Sequence, residues 1–277
     1  MKNITLNCIG LIGCSSFDVE KNGEDLAKIK NILQYNLNIK VKIADSLFSI
    51  RNNKDKANDL NLFFKDREID IIFDISGGDA ANNILEYIDY TIVKNSKAIY
   101  AGYSDNTVII NTLYKKSNKY SYYYNINNLI RSDSLNQIEY FKKIFIDRNF
   151  TELFNYKFLK GNKLNGIVIG GNIRCFLKLA GTRYFPNFKN KILFLESYSG
   201  NEDRIISYLY QLKHIGVFKG INGIILGTFT ELEIQNKDIE DMFLDFFKEY
   251  KFPIIKSNEL GHNSNAKLIV IGSKINL

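Results

Sequence analysis

A serine in a tight turn is the first residue of this sequence that could do chemistry. Ser104 lies in the segment Gly-Tyr-Ser-Asp at 102–105, between an apolar strand-like stretch and a helix-like stretch that begins at Asn106. A hydroxyl at the carboxyl end of a strand has the setting of a nucleophile elbow, in which the next backbone N–H can stabilise an oxyanion. However, Asn106 replaces the last glycine of the usual G-x-S-x-G pattern, and Ser104 or Asp105 could instead cap the helix. Taken alone, the turn favours the helix cap.

A serine nucleophile needs a base, and the chain contains only two histidines. His214 lies among apolar residues near the end of a helix-like stretch, which is typical of a structural role. His262 follows Gly261 in a turn-like segment just before a strand-like stretch, so its side chain could project into a cleft. The sequence therefore makes His262 the candidate base, with an exposed loop histidine as the alternative.

The base in turn needs a carboxylate that orients it. Glu196 comes directly after the apolar stretch 192–195, and Asp74 comes after a similar stretch at 71–73. Burying a carboxylate at the end of an apolar strand is costly unless it is hydrogen-bonded or paired. Glu196 is therefore expected either to act in the site or to have a partner, and Asp74 competes for the same role.

Glycine pairs follow two further strand-like stretches. Gly77 and Gly78 end one of them, and Gly170 and Gly171 precede Asn172 at the end of another. Without side chains, such residues let backbone amides approach a ligand closely. The first pair could supply an oxyanion donor, hold a phosphate or form a plain turn, and the second pair is equally ambiguous.

Strand-like and helix-like stretches alternate along most of the chain, which predicts parallel sheets with helices on both faces. A segment with a tyrosine run at Tyr120 and Tyr122 to Tyr124 interrupts the pattern, and such runs more often pack a domain junction than stack on bases or sugars. We predict an α/β protein with an N-terminal domain at 1–120, a linker at 121–164 that contains some helix, and a C-terminal domain at 165–277. The predicted strands are 4–12, 39–44, 69–75, 98–101, 166–170, 191–195, 223–227 and 267–271. The predicted helices are 18–35, 55–66, 79–88, 106–114, 135–146, 173–179, 202–212 and 239–250.

Composition narrows the class of protein. The 277 residues are 45% apolar and 24% charged, which is ordinary for a soluble globular chain of this size. The net charge of +7 is spread over short lysine pairs and not along one stripe, which argues against nucleic acid as a partner. No apolar run approaches the length of a membrane span. Cys8, Cys14 and Cys175 fit neither a zinc site nor a disulfide framework, so we expect a cytoplasmic protein with no metal and no cofactor.

Seven short segments then point to a known family. They are SGG at 76–78, ILEYIDY at 84–90, GYSDNT at 102–107, GGN at 170–172, LAGT at 179–182, ILFLE at 192–196 and GH at 261–262. In this order, and over nearly the whole chain, they resemble the LD-carboxypeptidase family of serine peptidases. Each segment is modest by itself, whereas the ordered set is specific.

The resemblance implies roles for five residues. It implies a Ser–His–Glu triad in which Ser104 is the nucleophile, His262 is the general base and later the acid, and Glu196 orients His262. It also implies an oxyanion hole formed by the backbone N–H groups of Gly78 and Asp105. The fold that it implies is a Rossmann-like, flavodoxin-like N-terminal domain with a parallel sheet, a smaller C-terminal α/β domain, and a triad assembled across the two.

The resemblance also implies a substrate class. Family members are typically cytoplasmic homodimers that release the terminal D-alanine from murein tetrapeptides during cell-wall recycling, and a similar branch cleaves microcin C-type peptidyl nucleotides. We therefore expect a small peptide substrate, with Gly77 and Asn172 as substrate-binding residues. Many members have an arginine where this chain has Ser76, which keeps the peptidyl nucleotide open as the alternative substrate. A non-catalytic nucleotide-binding or anion-binding module remains a third alternative.

Overall fold

The computed structural model describes residues 6–48, 52–235 and 238–277, and it contains two six-stranded sheets flanked by helices. The strands are β1 Cys8–Ile12, β2 Lys40–Ile43, β3 Ile71–Asp74, β4 Ile99–Gly102, β5 Ser121–Tyr123, β6 Lys157–Lys160, β7 Asn165–Asn172, β8 Lys191–Ser197, β9 Gly223–Phe229, β10 Ile254–Lys256, β11 Ile269–Ile271 and β12 Lys274–Asn276. The helices are α1 Val19–Asn31, α2 Asn53–Lys65, α3 Tyr90–Asn95, α4 Thr107–Ser117, α5 Ser134–Phe141, α6 Ile173–Leu177, α7 Glu202–Ile215, α8 Thr230–Gln235 and α9 Ile239–Phe246. Two π-helical turns, Ile32–Asn36 and Lys142–Ile146, extend α1 and α5.

The first sheet has the strand order β11-β5-β4-β3-β1-β2. Strands β1 to β5 are parallel, and β11 is antiparallel at the edge. Strands β1, β3 and β4 are buried along their whole length, because helices cover both faces of the sheet. The order 2-1-3-4-5 of the parallel strands is flavodoxin-like, which confirms the predicted Rossmann-like fold. Ligands in such sheets bind at the carboxyl ends of the strands, where β3 and β4 lead into the turns with the glycine pair and Ser104.

The second sheet has the order β12-β7-β8-β9-β10-β6, with four parallel strands between two antiparallel edges. The end of the chain crosses between the two sheets: β11 pairs with β5 in the first, and β12 then pairs with β7 in the second. The sequence predicts one final strand at 267–271 and no counterpart of β12. The boundaries at residues 120 and 164 remain predictions.

Most predicted elements lie within a few residues of the observed ones. The start of the first predicted strand, at residue 4, lies outside the described residues. The stretch 79–88, predicted to be an α-helix, instead forms the 3₁₀ segment Ala81–Tyr87. Helix α3 follows it and is capped by the Asp89 carboxylate, which accepts from the N–H groups of Thr91 and Ile92. The segment 121–164 contributes β5 to the first sheet and β6 to the second, and it contains α5. In the described part of the chain, no helix is both long and apolar enough to cross a membrane.

Helix α4, which follows Ser104, is fixed to the second sheet through Asn111. The Asn111 Nδ2 donates to the Gly170 carbonyl at 2.8 Å, and the Gly170 N–H donates to the Asn111 Oδ1 at 2.9 Å. Gly170 has a φ of +107°, and a Cβ at this position would lie 2.1 Å from the Phe194 carbonyl oxygen in β8. Glycine is therefore required where β7, β8 and α4 meet.

Gly170→Ala is expected to lower the free energy of unfolding by about 3 kcal/mol or more, since backbone strain and a steric collision add up there. Gly181→Ala is the matched control: Gly181 has a φ of +77° but open space around its Cβ position, so we expect a loss of about 1 kcal/mol from strain alone. Urea unfolding of the two variants measures the difference. Equal unfolding midpoints would show that the sheet absorbs the extra methyl group.

Candidate active site

The turn after β4 holds Ser104 in a strained conformation. Ser104 has a φ of +54°, which residues with a side chain rarely adopt. Its N–H donates to Tyr123 Oη at 3.0 Å, and its carbonyl accepts from Thr107 Oγ1 at 2.6 Å. These bonds hold the backbone, while the half-buried hydroxyl makes no hydrogen bond to another described residue. Strain of this kind is characteristic of a nucleophile elbow.

Strand β8 buries Glu196 completely near its carboxyl end. Both carboxylate oxygens have partners: Tyr123 Oη donates to Oε1 at 2.7 Å, and His262 Nδ1 lies 2.6 Å from Oε2. Burial raises the pKa of Tyr123 well above its usual value, which keeps its hydroxyl protonated as the donor. The two contacts offset the cost of burying the carboxylate and fix its orientation.

The loop between β10 and β11 brings His262 to Glu196. Gly261 has a φ of +146°, and a Cβ there would lie 2.0 Å from a threonine hydroxyl of β9, so a side chain does not fit. The imidazole packs between the rings of Tyr103 and Tyr198, with centroid distances of 5.6 and 5.2 Å. With Nδ1 on the carboxylate, the neutral ring carries its proton on Nδ1, and Nε2 is the nitrogen that can accept a proton.

Tyr123 connects these residues and is a functional candidate that the sequence pattern does not reveal. Its hydroxyl accepts from the Ser104 N–H and donates to Glu196, which in turn holds His262. The tyrosine run offered no signal that distinguishes this member from its neighbours. The register of β5 does so, because Tyr123 pairs with Gly102 at the end of β4, directly before the turn.

The other two candidates for triad roles lie elsewhere. Asp74 accepts from the backbone N–H groups of Cys14 and Ser76, each at 2.9 Å, and it thereby joins the turns after β1 and β3. Burial raises the pKa of Asp74. His214 is exposed on the last turn of α7. The carboxylate that contacts His262 is therefore that of Glu196 and not that of Asp74.

The turns after β3 and β4 each offer a backbone N–H group for an oxyanion. Among the described residues, the N–H groups of Gly78 and Asp105 have no acceptor. The first turn is fixed by the Ser16 N–H, which donates to the Gly77 carbonyl at 3.0 Å. Gly78 has a φ of +117°, and a Cβ there would lie 2.8 Å from the Ser16 side chain. An oxyanion hole needs fixed N–H donors that are free to bind the substrate, and the role of Gly78 and Asp105 as these donors stays a prediction.

The Asp105 carboxylate is buried and is held by three donors. Ser15 Oγ and the Ala81 N–H donate to Oδ2 at 2.6 and 2.8 Å, and Lys178 Nζ donates to Oδ1 at 2.6 Å. Lys178, which follows α6, also donates to the Asp79 carbonyl at 3.0 Å. One ammonium group from the second half of the chain therefore ties together the two turns that carry the candidate oxyanion donors.

The two predicted substrate-binding residues have different surroundings. Gly77 lines a cavity next to the turn after β3. Asn172 is buried: its Oδ1 accepts from the Cys175 N–H at 3.2 Å as the cap of α6, and its N–H donates to Thr107 Oγ1 at 3.0 Å. In the β7–β8 pair it lies opposite Glu196. Contact of either residue with a substrate remains a prediction.

The cysteines are poor competitors for the role of nucleophile. All three are buried and unpaired, and burial raises the pKa of Cys175 to about 12, which keeps this thiol protonated. Within residues 6–48, 52–235 and 238–277, no group of three or more His, Cys, Asp or Glu side chains could hold a metal ion.

Comparison with known proteins identifies the family. Residues 9–124 match the LD-carboxypeptidase N-terminal domain, and residues 165–277 match the LD-carboxypeptidase C-terminal domain. A Bacillus subtilis (strain 168) protein named "Probable murein peptide carboxypeptidase" is 23% identical over 253 residues, which cover 86% of this chain and 79% of that protein. The Escherichia coli Microcin C7 self-immunity protein MccF is 27% identical over 210 residues, which cover 63% of this chain and 60% of that protein.

Solved structures show the same fold at low sequence identity. Wild-type MccF in its apo state has a TM-score of 0.87 and 20% identity, over 99% of this chain and 93% of that chain. The muramoyltetrapeptide carboxypeptidase from Oxalobacter formigenes has a TM-score of 0.79 and 19% identity, over 98% of this chain and 94% of that chain. Since the two domain matches together span most of the sequence, the chain belongs to the LD-carboxypeptidase family of serine peptidases.

Proposed function

We propose that this protein is a serine carboxypeptidase that hydrolyses the amide bond before a terminal D-amino acid in murein tetrapeptides. The proposal is carried by the hydrogen-bonded series that runs from the Ser104 N–H through Tyr123 and Glu196 to His262, in a member of this family. A module that only binds a nucleotide or an anion needs neither a histidine held on a buried carboxylate nor a strained serine that is linked to the same carboxylate through Tyr123. This argues against the non-catalytic alternative.

The proposed reaction proceeds through an acyl-enzyme. Ser104 Oγ attacks the carbonyl carbon of the amide while His262 Nε2 accepts the hydroxyl proton, and Glu196 holds the imidazole. The N–H groups of Gly78 and Asp105 donate to the oxyanion of the tetrahedral intermediate. His262 then gives its proton to the leaving amine as the C–N bond breaks. A water molecule, deprotonated by the same nitrogen, attacks the ester carbon. As the bond between this carbon and Ser104 Oγ breaks, His262 returns the proton to Oγ, and the acyl product leaves as a carboxylic acid.

The likeness to MccF favours peptidyl nucleotides as a second candidate substrate class for the same chemistry. The identity to MccF, 27% over 210 residues, exceeds the 23% over 253 residues to the murein peptide carboxypeptidase, although it covers less of the chain. A structure of MccF in complex with aspartyl sulfamoyl adenosine has a TM-score of 0.88 to this chain. Turnover of an aminoacyl nucleotide, without turnover of murein tetrapeptide, would support this second class.

We also propose that the protein works in the cytoplasm as a homodimer. Three buried cysteines without disulfides fit a reducing compartment, and the family resemblance implies the dimer.

Labelling with a fluorophosphonate tests the proposed nucleophile. We expect one adduct, on Ser104, because such reagents trap a serine that an adjacent base activates. Ser104→Ala is expected to abolish the adduct, whereas Ser207→Ala, which changes an exposed serine of α7, is expected to retain it. Peptide mapping by mass spectrometry locates the modified residue. An adduct on a different serine, or a wild-type protein that does not react, would count against the proposal.

A further inference from the structure

A cavity of about 340 Å³ opens beside the turn after β3, which carries Gly78 as one of the two candidate oxyanion donors. Its walls come from helix α1, from the turns after β1, β3 and β4 and from the segment after β5, and they include Ser16, Gly78, Tyr103 and Arg131. The cavity lies where the strand order reverses between β1 and β3, which is the usual ligand position in an open α/β sheet. Its volume is within the range of small-molecule sites, about 300–1,000 Å³.

Two walls of the cavity contact the candidate base. The ring of Tyr103 packs against that of His262, with their centroids 5.6 Å apart. Arg131 Nη1 donates to the His262 carbonyl at 3.3 Å. A third wall carries the glycine pair with the Gly78 N–H. A substrate group in this cavity would therefore adjoin the reacting amide.

Arg131 is the cationic side chain that lines this cavity. Its Nη1 donates to Asn128 Oδ1 and to the His262 carbonyl, each at the long distance of 3.3 Å. In the described part of the chain, Arg131 forms no ion pair, whereas Asp25, the acidic residue of the cavity wall, lies 3.7 Å from Lys28 Nζ. A guanidinium has five N–H donors in a planar fork, which matches the two oxygens of a carboxylate. Most of the donors of Arg131 thus remain available.

We propose that Arg131 binds a carboxylate of the substrate in this cavity. The inference rests on the proposed function and adds the residue that recognises a carboxylate of the peptide. The carboxylate has two sources in a peptide: the terminal carboxylate of the leaving residue, and a carboxylate of the acyl portion. The contact of Arg131 with the His262 carbonyl is long, and Glu196, Tyr103 and Tyr198 contact the imidazole itself, so we expect the position of the base not to depend on Arg131.

Steady-state kinetics on three substrates test this inference. They are a murein tetrapeptide, its C-terminal amide, and an analogue in which the carboxylates of the acyl portion are amides. For Arg131→Gln, we expect kcat/KM on the tetrapeptide to fall about 10- to 100-fold, mainly through KM, as for the loss of a charge-assisted hydrogen bond. One of the two analogues lacks the carboxylate that Arg131 binds, and on this analogue we expect Arg131→Gln to change kcat/KM by less than about twofold. The analogue that is insensitive to the substitution therefore shows whether the bound carboxylate is the terminal one or belongs to the acyl portion.

Two further variants control the comparison. Arg131→Lys keeps the charge but not the paired donors, so we expect a smaller loss on the tetrapeptide. Arg183→Gln removes an exposed arginine whose guanidinium lies 5.1 Å from the Tyr184 ring, and it is expected to match wild type on all three substrates. Equal losses for Arg131→Gln on every substrate would overturn the inference, since they would show that Arg131 acts only through the His262 loop. So would the absence of any loss.

The rate of fluorophosphonate labelling separates this inference from the proposed function. The reagent has no carboxylate, so Arg131→Gln is expected to label Ser104 at the wild-type rate. If the wild-type protein neither reacts nor cleaves peptide, the proposed function fails. If it does both, and Arg131→Gln does not discriminate between the substrates, only the assignment of Arg131 fails.

Discussion

Replacing Ser104 with alanine is expected to lower kcat for the release of D-alanine from a murein tetrapeptide by about 10⁶-fold. The variant lacks the oxygen that attacks the carbonyl carbon, so no acyl-enzyme can form. A residual rate of about 10³–10⁴ times that in water would come from the donors at Gly78 and Asp105 and from substrate binding. Chromatographic detection of free D-alanine measures the rate of release by the variant and by the wild-type protein.

The same substitution should leave the fold intact. Ser104 Oγ has no hydrogen-bond partner among the described residues, and the bonds to Tyr123 and Thr107 use only the backbone of Ser104. We therefore expect the thermal midpoint to change by less than about 2 °C. Ser104→Gly provides a second variant without the hydroxyl, and glycine tolerates the φ of +54°. Wild-type turnover by either variant would rule out Ser104 as the nucleophile.

Several residues of the candidate site could be predicted from the ends of strands. The carboxyl ends of parallel strands lie at one edge of a sheet, and apolar runs in the sequence located the ends of β4 and β8 beside Ser104 and Glu196. The scarcity of histidines then reduced the choice of base to His214 and His262. The 2.6 Å contact between Glu196 and His262 could not be predicted from their spacing, because it depends on how a loop folds over the second sheet.

Contacts that depend on strand register could not be predicted. Along β5 and the residue that follows it, the side chains alternate between faces, so Tyr123 packs in one hydrophobic cluster and Tyr122 and Tyr124 pack in another. A sequence with consecutive tyrosines does not specify which face meets Glu196. The pairing of β11 with β5 in the first sheet could not be predicted either, because the two short strands lie far apart in the sequence and meet only in the folded protein.

Charged groups that act across the two halves of the chain were also missed. Lys178 reaches the buried Asp105 from the turn after α6, and Arg131 reaches the His262 carbonyl from the segment after β5. In the sequence these two residues are ordinary members of a basic composition spread along the whole chain. Their surroundings, a buried carboxylate for one and a cavity wall for the other, exist only in the folded protein.

Replacing Glu196 with glutamine is expected to lower kcat by about 10⁴-fold. Tyr123 Oη and His262 Nδ1 both require an acceptor at this position, and an amide offers one acceptor and one donor group. If the amide nitrogen faces His262, Nδ1 must accept a hydrogen bond, the ring proton moves to Nε2, and the histidine cannot take the proton of Ser104. If the amide oxygen faces His262, the tautomer is kept, but the charge that stabilises the imidazolium is lost.

Kinetic and structural measurements on this variant separate a catalytic role of Glu196 from a purely structural one. Because orientation of the base matters mainly in the transition state, kcat and kcat/KM should fall together, and fluorophosphonate labelling of Ser104 should slow as well. Glu249→Gln makes the same chemical change at an exposed position and should leave all three rates unchanged. A loss below about tenfold for Glu196→Gln, in a folded protein, would mean that Glu196 mainly satisfies two buried donors. The orientation of His262 would then rest on its packing between Tyr103 and Tyr198.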